Sequence, residues 1–329
     1  MKENTNWIVK PSNKSLIIKD KDKKLIRVIY ANARISLKDI GKKLHLSKVA
    51  VHNRLKNLEK KGIISGYSCL INFSKLGFST YQIGIKTNMS LEEKEEYIKK
   101  IQDSGCVSQI LKLAGGKWDF LIRVSSQEKT LNKVLDLIKD SKIQEEDILK
   151  IEGLFAHIDD EKEFSLIEKY ENSLTKVDIN LLLQLAKNSR QSIAELSSKL
   201  KISSQTIITK IKKFQQDKII ISFPTEYNPL IYGDEGYLFV ITTKKRAMQN
   251  NLSTQLAKVN SVGVFTNLQN PNIISYHVIS GLNELKNIEK TLQPFINEIR
   301  NYEFIRIEEQ SLYKFFPDEV YKILVKESS

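Results

Sequence analysis

The chain has 329 residues, of which 52 are Lys or Arg, 39 are Asp or Glu and 41% are apolar, so its formal charge is +13. This length predicts about two domains, and the composition excludes collagen, long disordered tails and small disulfide scaffolds. Two cysteines, Cys69 and Cys106, are too few for a disulfide framework or a four-cysteine zinc site. We find no pattern of a secretion signal or a membrane anchor, so we expect a cytoplasmic protein.

The positive charge has two interpretations. It favours a polyanionic partner such as nucleic acid. However, arginine holds only eight of the basic positions, and such a bias toward lysine also follows from AT-rich coding. The position of the charge along the chain therefore decides between the two.

The sequence contains an internal repeat, because Asp22 and Asp178 stand 156 positions apart and the same spacing joins many further identical pairs. Those pairs include Asn32 with Asn188, Arg34 with Arg190, Ser36 with Ser192, Leu44 with Leu200, Ser47 with Ser203, Lys56 with Lys212 and Tyr81 with Tyr237. The repeat indicates a tandem duplication of one module, since solenoid repeats are only about 20 to 50 residues long.

The first copy begins with a helical pattern. Apolar residues fall at helical spacing from Asp22 to Lys61 and predict three short helices. Ser36 and Ser47 suit the N-caps of the second and third helices, and Gly62 suits the C-terminal end of the third.

A β-α-β-β-α-β order follows. Strand-like runs lie at 63–67, 81–86, 107–113, 118–124 and 148–157, and helical runs lie at 90–103 and 128–140. The segment Ala114-Gly115-Gly116-Lys117 reads as a hairpin turn. This order predicts a ferredoxin-like α/β sandwich.

The second copy repeats the plan, with helices from about 177 to 216, a first sheet strand at 236–242 and sheet-covering helices near 246–259 and 282–299. The predicted fold class is α+β, with two tandem copies of a helix-turn-helix followed by a ferredoxin-like sandwich. The segment before the second copy carries neither Pro nor Gly, so we expect it to be helical. The predicted units are a tail without a counterpart in copy two (1–17), helix-turn-helix 1 (18–66), sandwich 1 (67–158), a connector (159–176), helix-turn-helix 2 (177–222) and sandwich 2 (223–329).

The segment 36–55 has the proportions of a helix-turn-helix, whose third helix enters a major groove. If Val51, Leu55 and Leu58 face inward, the opposite face is free to read bases. On that face Asn53 suits adenine, His52 suits guanine and Val49 suits a thymine methyl. The other candidate DNA contacts, suited to phosphates or to the start of the helix, are Lys42, Lys43, Ser47, Lys48, Arg54 and Lys56.

The equivalent helix of copy two is less suited to DNA. Gln205, Thr209 and Lys210 are its candidate contacts, but apolar Ile208 replaces His52. Two interpretations of this helix therefore remain: it contacts DNA, or it is a structural or dimerising remnant.

The run from Asp22 through Gly77 resembles the N-terminal domain of the Lrp/AsnC family, the feast/famine transcription regulators. The resemblance rests on Arg34-Ile35-Ser36, Leu46-Ser47, Arg54-Leu55-Lys56-Asn57-Leu58-Glu59 and Gly62-Ile63-Ile64-Ser65-Gly66-Tyr67. In addition, Gly116-Lys117-Trp118-Asp119 is similar to the Gly-x-x-Asp turn of that family's ligand-binding domain.

The resemblance implies a winged helix-turn-helix joined to a ligand-binding domain of the RAM type, which assembles through its sheets. It also implies an amino-acid or other small effector at Ala114, Gly115, Gly116 and Asp119, although the same residues also suit a plain hairpin. Copy two departs here, because the offset puts Pro271, Asn272 and Ser275 opposite Gly115, Gly116 and Asp119.

The predicted function is a sequence-specific transcription regulator that binds double-stranded DNA, without enzyme activity, cofactor or metal. We expect a homo-oligomer or an intramolecular pseudo-dimer, and an asymmetric DNA site, because two unequal readers share one chain. Siroheme decarboxylases are similar in architecture, and an enzyme of that kind would depend on His157 and His277. A sensor or assembly protein that has lost DNA binding is the third alternative. Phosphate-loop, nucleophile-elbow and zinc-protease motifs are absent from the sequence.

Overall fold

The computed structural model describes residues 9–10, 18–30, 32–158, 161–168, 170, 174–259 and 261–327. Most of the predicted tail and part of the predicted connector lie outside the described residues. In the described part, the first copy comprises α1 (Asp20–Ile29), α2 (Leu37–Leu44), α3 (Lys48–Lys60), β1 (Ile64–Tyr67), β2 (Leu70–Ile71), β3 (Ser79–Thr87), α4 (Leu91–Gln102), β4 (Val107–Ala114), β5 (Phe120–Ser126), α5 (Leu131–Ile138), β6 (Ile143–Ile158) and β7 (Glu161–Ser165).

The second copy repeats this order, which confirms the predicted fold class. It comprises α6 (Lys176–Lys187), α7 (Ile193–Leu200), α8 (Ser204–Gln216), β8 (Ile220–Ser222), β9 (Thr225–Tyr227), β10 (Glu235–Thr243), α9 (Gln249–Ala257), β11 (Ser261–Asn267), β12 (Ile273–Ile279), α10 (Leu282–Leu292), β13 (Ile299–Tyr313) and α11 (Asp318–Glu327). Short 3-10 turns lie at Phe73–Leu76, Glu128–Thr130, Pro229–Tyr232, Arg246–Met248 and Gln293–Glu298. No helix in these described ranges is both long and apolar enough to cross a membrane.

The N-terminal ends of α2 and α3 follow from their capping residues. The Ser36 hydroxyl accepts a hydrogen bond from the Asp39 amide, and the Ser47 hydroxyl accepts one from the Ala50 amide, each at 3.1 Å. Both predicted N-caps are therefore confirmed. A Cβ at Gly41 would lie 2.5 Å from the Leu46 carbonyl oxygen, so glycine allows the turn before α3 to pack against α2.

Four strands of each copy form one closed barrel. Each copy has the ferredoxin-like strand order, β4-β5-β3-β6 in the first and β11-β12-β10-β13 in the second. Antiparallel pairing of β13 with β4 and of β11 with β6 joins the two sheets, and β7 lies beside the closed ring. Closure leaves neither copy with an unpaired sheet edge at these joints.

Three apolar layers hold the barrel. One lies between the first sheet and α4 and α5, and another lies between the second sheet and α9 and α10. The third lies in the barrel interior and contains side chains of both copies, including Leu111, Trp118, Leu238 and Ile305. Because this interior core is shared, the two copies pack as one unit.

The two helix-turn-helix modules also exchange strands. β1 of the first copy pairs with β9 of the second, and β2 of the first pairs with β8 of the second. Each predicted wing is therefore built from both copies.

A pair of equivalent contacts accompanies this exchange. The Ala33 amide donates to the Phe223 carbonyl at 2.6 Å, and the Ser189 amide donates to the Tyr67 carbonyl at 2.8 Å. The Arg34 guanidinium lies 5.7 Å from the Phe223 ring centre, and that of Arg190 lies 5.0 Å from the Tyr67 ring centre. The repeated arginines thus join the two modules through a pseudo-two-fold interface.

One expectation about the segments before the modules is wrong. In the connector, which we expected to be helical, Glu161–Ser165 forms β7 and pairs with β6, because Phe164 and Leu166 bury beside Ile151 and Leu154. Val9 of the tail pairs with Gln310 of β13 as Phe164 of the connector pairs with Leu154 of β6. The segment before each module therefore adds a pairing beside the last barrel strand of the other copy.

Helix α11 is an element that the sequence analysis did not single out. Its Val320 and Leu324 are buried in the same cluster as Ile179 and Leu182 of α6. The Tyr321 hydroxyl also donates to the Asn180 side chain at 3.0 Å. The chain terminus therefore covers the second helix-turn-helix.

Candidate functional site

The exposed face of α3 carries the predicted base-reading residues. Val51, Leu55 and Leu58 are buried in the module core, and this orientation leaves His52 and Asn53 exposed on the opposite side. Val49 is 67% exposed and lies beside them. These three side chains form one surface near the start of the helix.

Exposed lysines surround this surface. Lys42, Lys43, Lys48 and Lys56 are all exposed, and Lys42 has only a loose ion pair with Asp39 at 3.9 Å. Ser47 is exposed as well, but its hydroxyl caps α3. The lysines are free to reach phosphates on either side of the helix.

Arg54 has a different partner from the one predicted. Its guanidinium lies 2.6 Å from a carboxylate oxygen of Asp22, and both side chains are largely buried. The equivalent pair of copy two is Lys210 and Asp178 at 2.7 Å. Arg54, predicted to contact a phosphate, and Lys210, predicted as a DNA contact of copy two, each tie the third helix of their module to the first instead.

The surface of α8 is less polar than that of α3. Gln205 and Thr209 are exposed, whereas Ile208, at the position of His52, is half-buried. Lys212 and Lys213 are exposed further along the helix. Copy two thus presents fewer groups that can read a base, although it keeps positive charge.

The Asp119 carboxylate of the predicted ligand turn is already engaged. It accepts a hydrogen bond from the Thr87 amide at 2.8 Å and one from the Lys94 ammonium at 3.0 Å, and Lys86 lies 3.6 Å away. Partial burial alone would raise the pKa of Asp119, but these donors outweigh it and hold the pKa below its ordinary value. The contacts support the structural role of Asp119 at the end of β3.

Of the two neighbouring glycines, Gly116 packs against the other copy, whereas the space around Gly115 is open. Gly115 and Gly116 have φ values of +75° and +72°, and a Cβ at Gly116 would lie 2.7 Å from the Ile305 side chain. The amide of Lys117 donates to the Glu303 carboxylate at 3.3 Å. The turn, which Ala114 precedes at the end of β4, therefore lies at the joint between the two sheets.

The counterpart of Asp119 in copy two is Asn272. Its side-chain oxygen accepts a hydrogen bond from the Thr243 amide at 2.9 Å, as Asp119 accepts one from Thr87. The two partners are 29 residues apart in copy two and 32 in copy one, so the second copy lacks three residues here. The uniform offset, which set Ser275 opposite Asp119, is wrong at this turn.

Arg123 is a polar residue that the sequence analysis missed. It lies in β5 between Ile122 and Val124, and it is only 8% exposed. Its guanidinium contacts the Tyr276 hydroxyl at 3.2 Å and stacks 4.2 Å from the Phe265 ring centre. A single charge within an otherwise apolar strand was the signal that could have found it.

The histidines and acidic residues do not gather into a metal site within the part of the chain that the structure describes. His277 is buried, with one ring nitrogen 2.6 Å from the Ser275 hydroxyl and the other 2.9 Å from the Val259 carbonyl. His45 and His52 lie on the first helix-turn-helix. The side chain of His157 lies outside the described residues.

Comparison with known proteins places the modules in a family. The winged helix-turn-helix DNA-binding family matches residues 18–65 and again 174–221. The HTH-type transcriptional regulator LrpA of Pyrococcus abyssi is 31% identical over 139 residues, which cover 42% of this chain and 91% of that protein. LrpB of Bacillus subtilis is 32% identical over 119 residues, which cover 36% of this chain and 79% of that protein. The chain belongs to the Lrp/AsnC family.

The tandem arrangement of this Lrp/AsnC protein also has a solved counterpart. The crystal structure of the siroheme decarboxylase NirDL matches with a TM-score of 0.59 and covers 94% of this chain and 98% of that one. The sequence identity is 11%, so the match shows a shared fold alone.

Proposed function

We propose that this Lrp/AsnC protein is a sequence-specific transcription regulator whose α3 enters the major groove of duplex DNA. The observation that carries the proposal is the exposed face of α3, where Val49, His52 and Asn53 stand together among lysines. Asn53 pairs with an adenine edge, His52 donates to guanine and Val49 packs on a thymine methyl. The lysines at 42, 43, 48 and 56 contact phosphates and provide affinity that depends on salt.

Helix α8 is the second and weaker reader. Gln205 and Thr209 are its exposed base-reading groups, and the exposed Lys212 contacts a phosphate, which positions the helix. The shared barrel holds both readers on one chain, so the bound site has two unequal halves.

An amino acid or another small metabolite at the Gly-x-x-Asp turn is the proposed effector. The exposed Gly115 and Gly116 offer backbone groups to it, but Asp119 is paired with Lys94, so an effector ammonium has to compete with that lysine. We expect the protein to act in the cytoplasm without a cofactor, as an intramolecular pseudo-dimer that pairs its own two sheets.

A siroheme decarboxylase-like enzyme is the second candidate. It takes second place because both ring nitrogens of His277 are engaged in hydrogen bonds, which leaves that imidazole poorly placed to act on a substrate. A Soret band after incubation with siroheme, or its decarboxylation, would favour the enzyme.

Selection of genomic DNA fragments by the purified full-length protein tests the proposed regulator. We expect a defined motif, and an affinity for it that falls steeply with salt concentration. Weak binding that is indifferent to sequence would contradict the proposal. It would leave the third alternative, a sensor or assembly protein that has lost DNA binding.

A further inference from the structure

A cavity lies inside the barrel and extends toward the strands that join the two helix-turn-helix modules. Its volume, measured as the space open to the centre of a water molecule, is about 210 Å³. A single buried water needs only about 10–15 Å³ of such space. Its wall is mainly apolar and includes Leu70, Leu154, Phe265 and Ile307. The space is therefore large enough for a small organic molecule.

The polar groups that concern us are Arg123 of β5 and Tyr276 of β12, which both line the cavity. The Tyr276 hydroxyl accepts hydrogen bonds from the Gln82 amide at 2.8 Å and from the Arg123 guanidinium at 3.2 Å. Because this oxygen already accepts two hydrogen bonds, its own proton is left for another acceptor. Burial raises the pKa of Tyr276, so the hydroxyl keeps that proton at neutral pH.

The described part of the cavity wall offers Arg123 no counter-charge. Among the described residues that line the cavity, none is Asp or Glu. The other lining cation of this set, Lys314, is paired with Asp318 at 2.8 Å. The Nε atom of Arg123 is buried without a hydrogen-bond partner. A buried guanidinium that faces only phenols, amides and aromatic rings is unfavourable unless an anion joins it.

We propose that the cavity binds a small apolar carboxylate, with its carboxylate group on the Arg123 guanidinium and the Tyr276 hydroxyl. A carboxylate accepts from both donors and neutralises the guanidinium, while the apolar body of the ligand covers the aliphatic wall. This site is separate from the Gly-x-x-Asp turn, because none of Ala114, Gly115, Gly116 or Asp119 lines the cavity.

The pseudo-symmetry limits the ligand to one molecule per chain. Arg123 pairs with Gln82 across β5 and β3, and at the equivalent place in copy two Tyr276 pairs with Leu238 across β12 and β10. The guanidinium and the amide therefore occur on one side only. The cavity also reaches Tyr30, Pro224 and Tyr227, so an occupant contacts the segments that join both modules to the barrel.

Calorimetric titration of the full-length protein with decanoate tests this site, with 1-decanol as the neutral probe of the same length. We expect one decanoate per chain, binding at least tenfold weaker in Arg123→Gln, and 1-decanol binding unchanged by the substitution. The exposed Arg300→Gln is the matched control and should bind decanoate as the wild type does.

A second variant covers the case in which Arg123→Gln does not fold, as thermal melting would reveal. Tyr276→Phe removes one donor without a change of charge, and we expect it to weaken decanoate binding several-fold and to leave 1-decanol unchanged. The proposal is overturned if the wild type shows no saturable decanoate binding, or if the folded variants bind decanoate as tightly as the wild type. Neither result depends on DNA binding, so a failure here is distinguishable from a failure of the proposed regulator function.

Discussion

The two helix-turn-helix modules keep the same backbone and differ in what surrounds it. α3 and α8 have the same length and equivalent bounds, and each is tied to the first helix of its module by an ion pair. The first module has a core of its own, to which only a few residues of the joining strands contribute. The core of the second continues into Phe73 of copy one and into α11.

The difference teaches how a duplicated reader diverges. The residues that hold the fold are retained in both copies, whereas the outward face changes from His52 and Asn53 to Ile208 and Thr209. The left-handed backbone at the end of the third helix is also retained, although Gly62 with φ +70° is replaced by Lys218 with φ +55°. The second module therefore shares more of its core with the rest of the chain, and its outward face offers fewer groups that can read a base.

The largest expected effect concerns the two cores. Leu25 and Leu181 are equivalent, and both are fully buried. Either change to Ala should cost about 3 kcal/mol of unfolding free energy, because each leaves a cavity. Leu181→Ala should destabilise the whole chain, whereas Leu25→Ala should mainly open the first module.

Hydrogen exchange measured by mass spectrometry separates these outcomes. Faster exchange confined to α1–α3 in Leu25→Ala, together with faster exchange in the barrel in Leu181→Ala, would agree with the two different cores. The same pattern in both variants would show that the modules are anchored alike.

The next effect concerns base reading. The double variant His52→Ala with Asn53→Ala should weaken binding to the selected duplex about 100-fold, because each lost base contact is worth about 1–3 kcal/mol. The equivalent Ile208→Ala with Thr209→Ala should weaken it only about threefold. Fluorescence anisotropy at fixed salt measures both, and equal losses would refute the inequality of the readers.

A third effect concerns Glu226, which stands in β9 where copy one has Leu70. Burial raises the pKa of Glu226 to about 7, although the Ser68 hydroxyl donates a hydrogen bond to the carboxylate. The folded state therefore favours the protonated acid. Its stabilising contribution is full below the ordinary value of 4.5 and is lost as the pH rises through about 7.

Glu226→Gln should abolish this loss and raise the unfolding free energy at pH 8 by about 2 kcal/mol, while the exposed control Glu92→Gln leaves it unchanged. Urea denaturation at pH 5 and pH 8 provides the values. The account predicts that the stability advantage of Glu226→Gln over the wild type is larger at pH 8 than at pH 5. An advantage that is larger at pH 5 would contradict it.

The smallest effect concerns phosphate contacts. Lys56→Gln and Lys212→Gln should each reduce the slope of log affinity against log salt by about 0.9, since each removes one phosphate contact. Lys133→Gln, exposed on α5, should leave the slope unaltered. If only Lys56→Gln has an effect, α8 does not touch the DNA backbone.

Much of this fold follows from the sequence, because the pattern of each element is local. The periodicity of Leu25, Ile29, Val51 and Leu55 predicts the helices, and the spacing of Gly115 and Gly116 predicts the hairpin between β4 and β5. The repeat predicts the second copy. The pairing of strands that are distant along the chain could not be predicted. The pattern of β1, for example, does not specify that its neighbour is β9 of the other copy.

The candidate site was predictable to a similar extent. Helical geometry fixes which side chains of α3 point outward, so His52 and Asn53 were found, whereas the pairing of Arg54 with Asp22 depends on how α1 crosses α3. Asn272 was missed because three residues are lost before it. The role of Arg123 could not be identified from the sequence, because its contacts with Phe265 and Tyr276 depend on strands of the other copy.

Selection of random DNA duplexes by the full-length wild-type protein, with the number of chains per duplex measured by light scattering, tests the central claim most directly. The claim is that one chain carries two unequal readers. We expect one chain per site and a non-palindromic motif, one half of which carries most of the sequence preference. A palindromic motif bound by two chains would contradict it, because each chain would then contribute one equivalent reader.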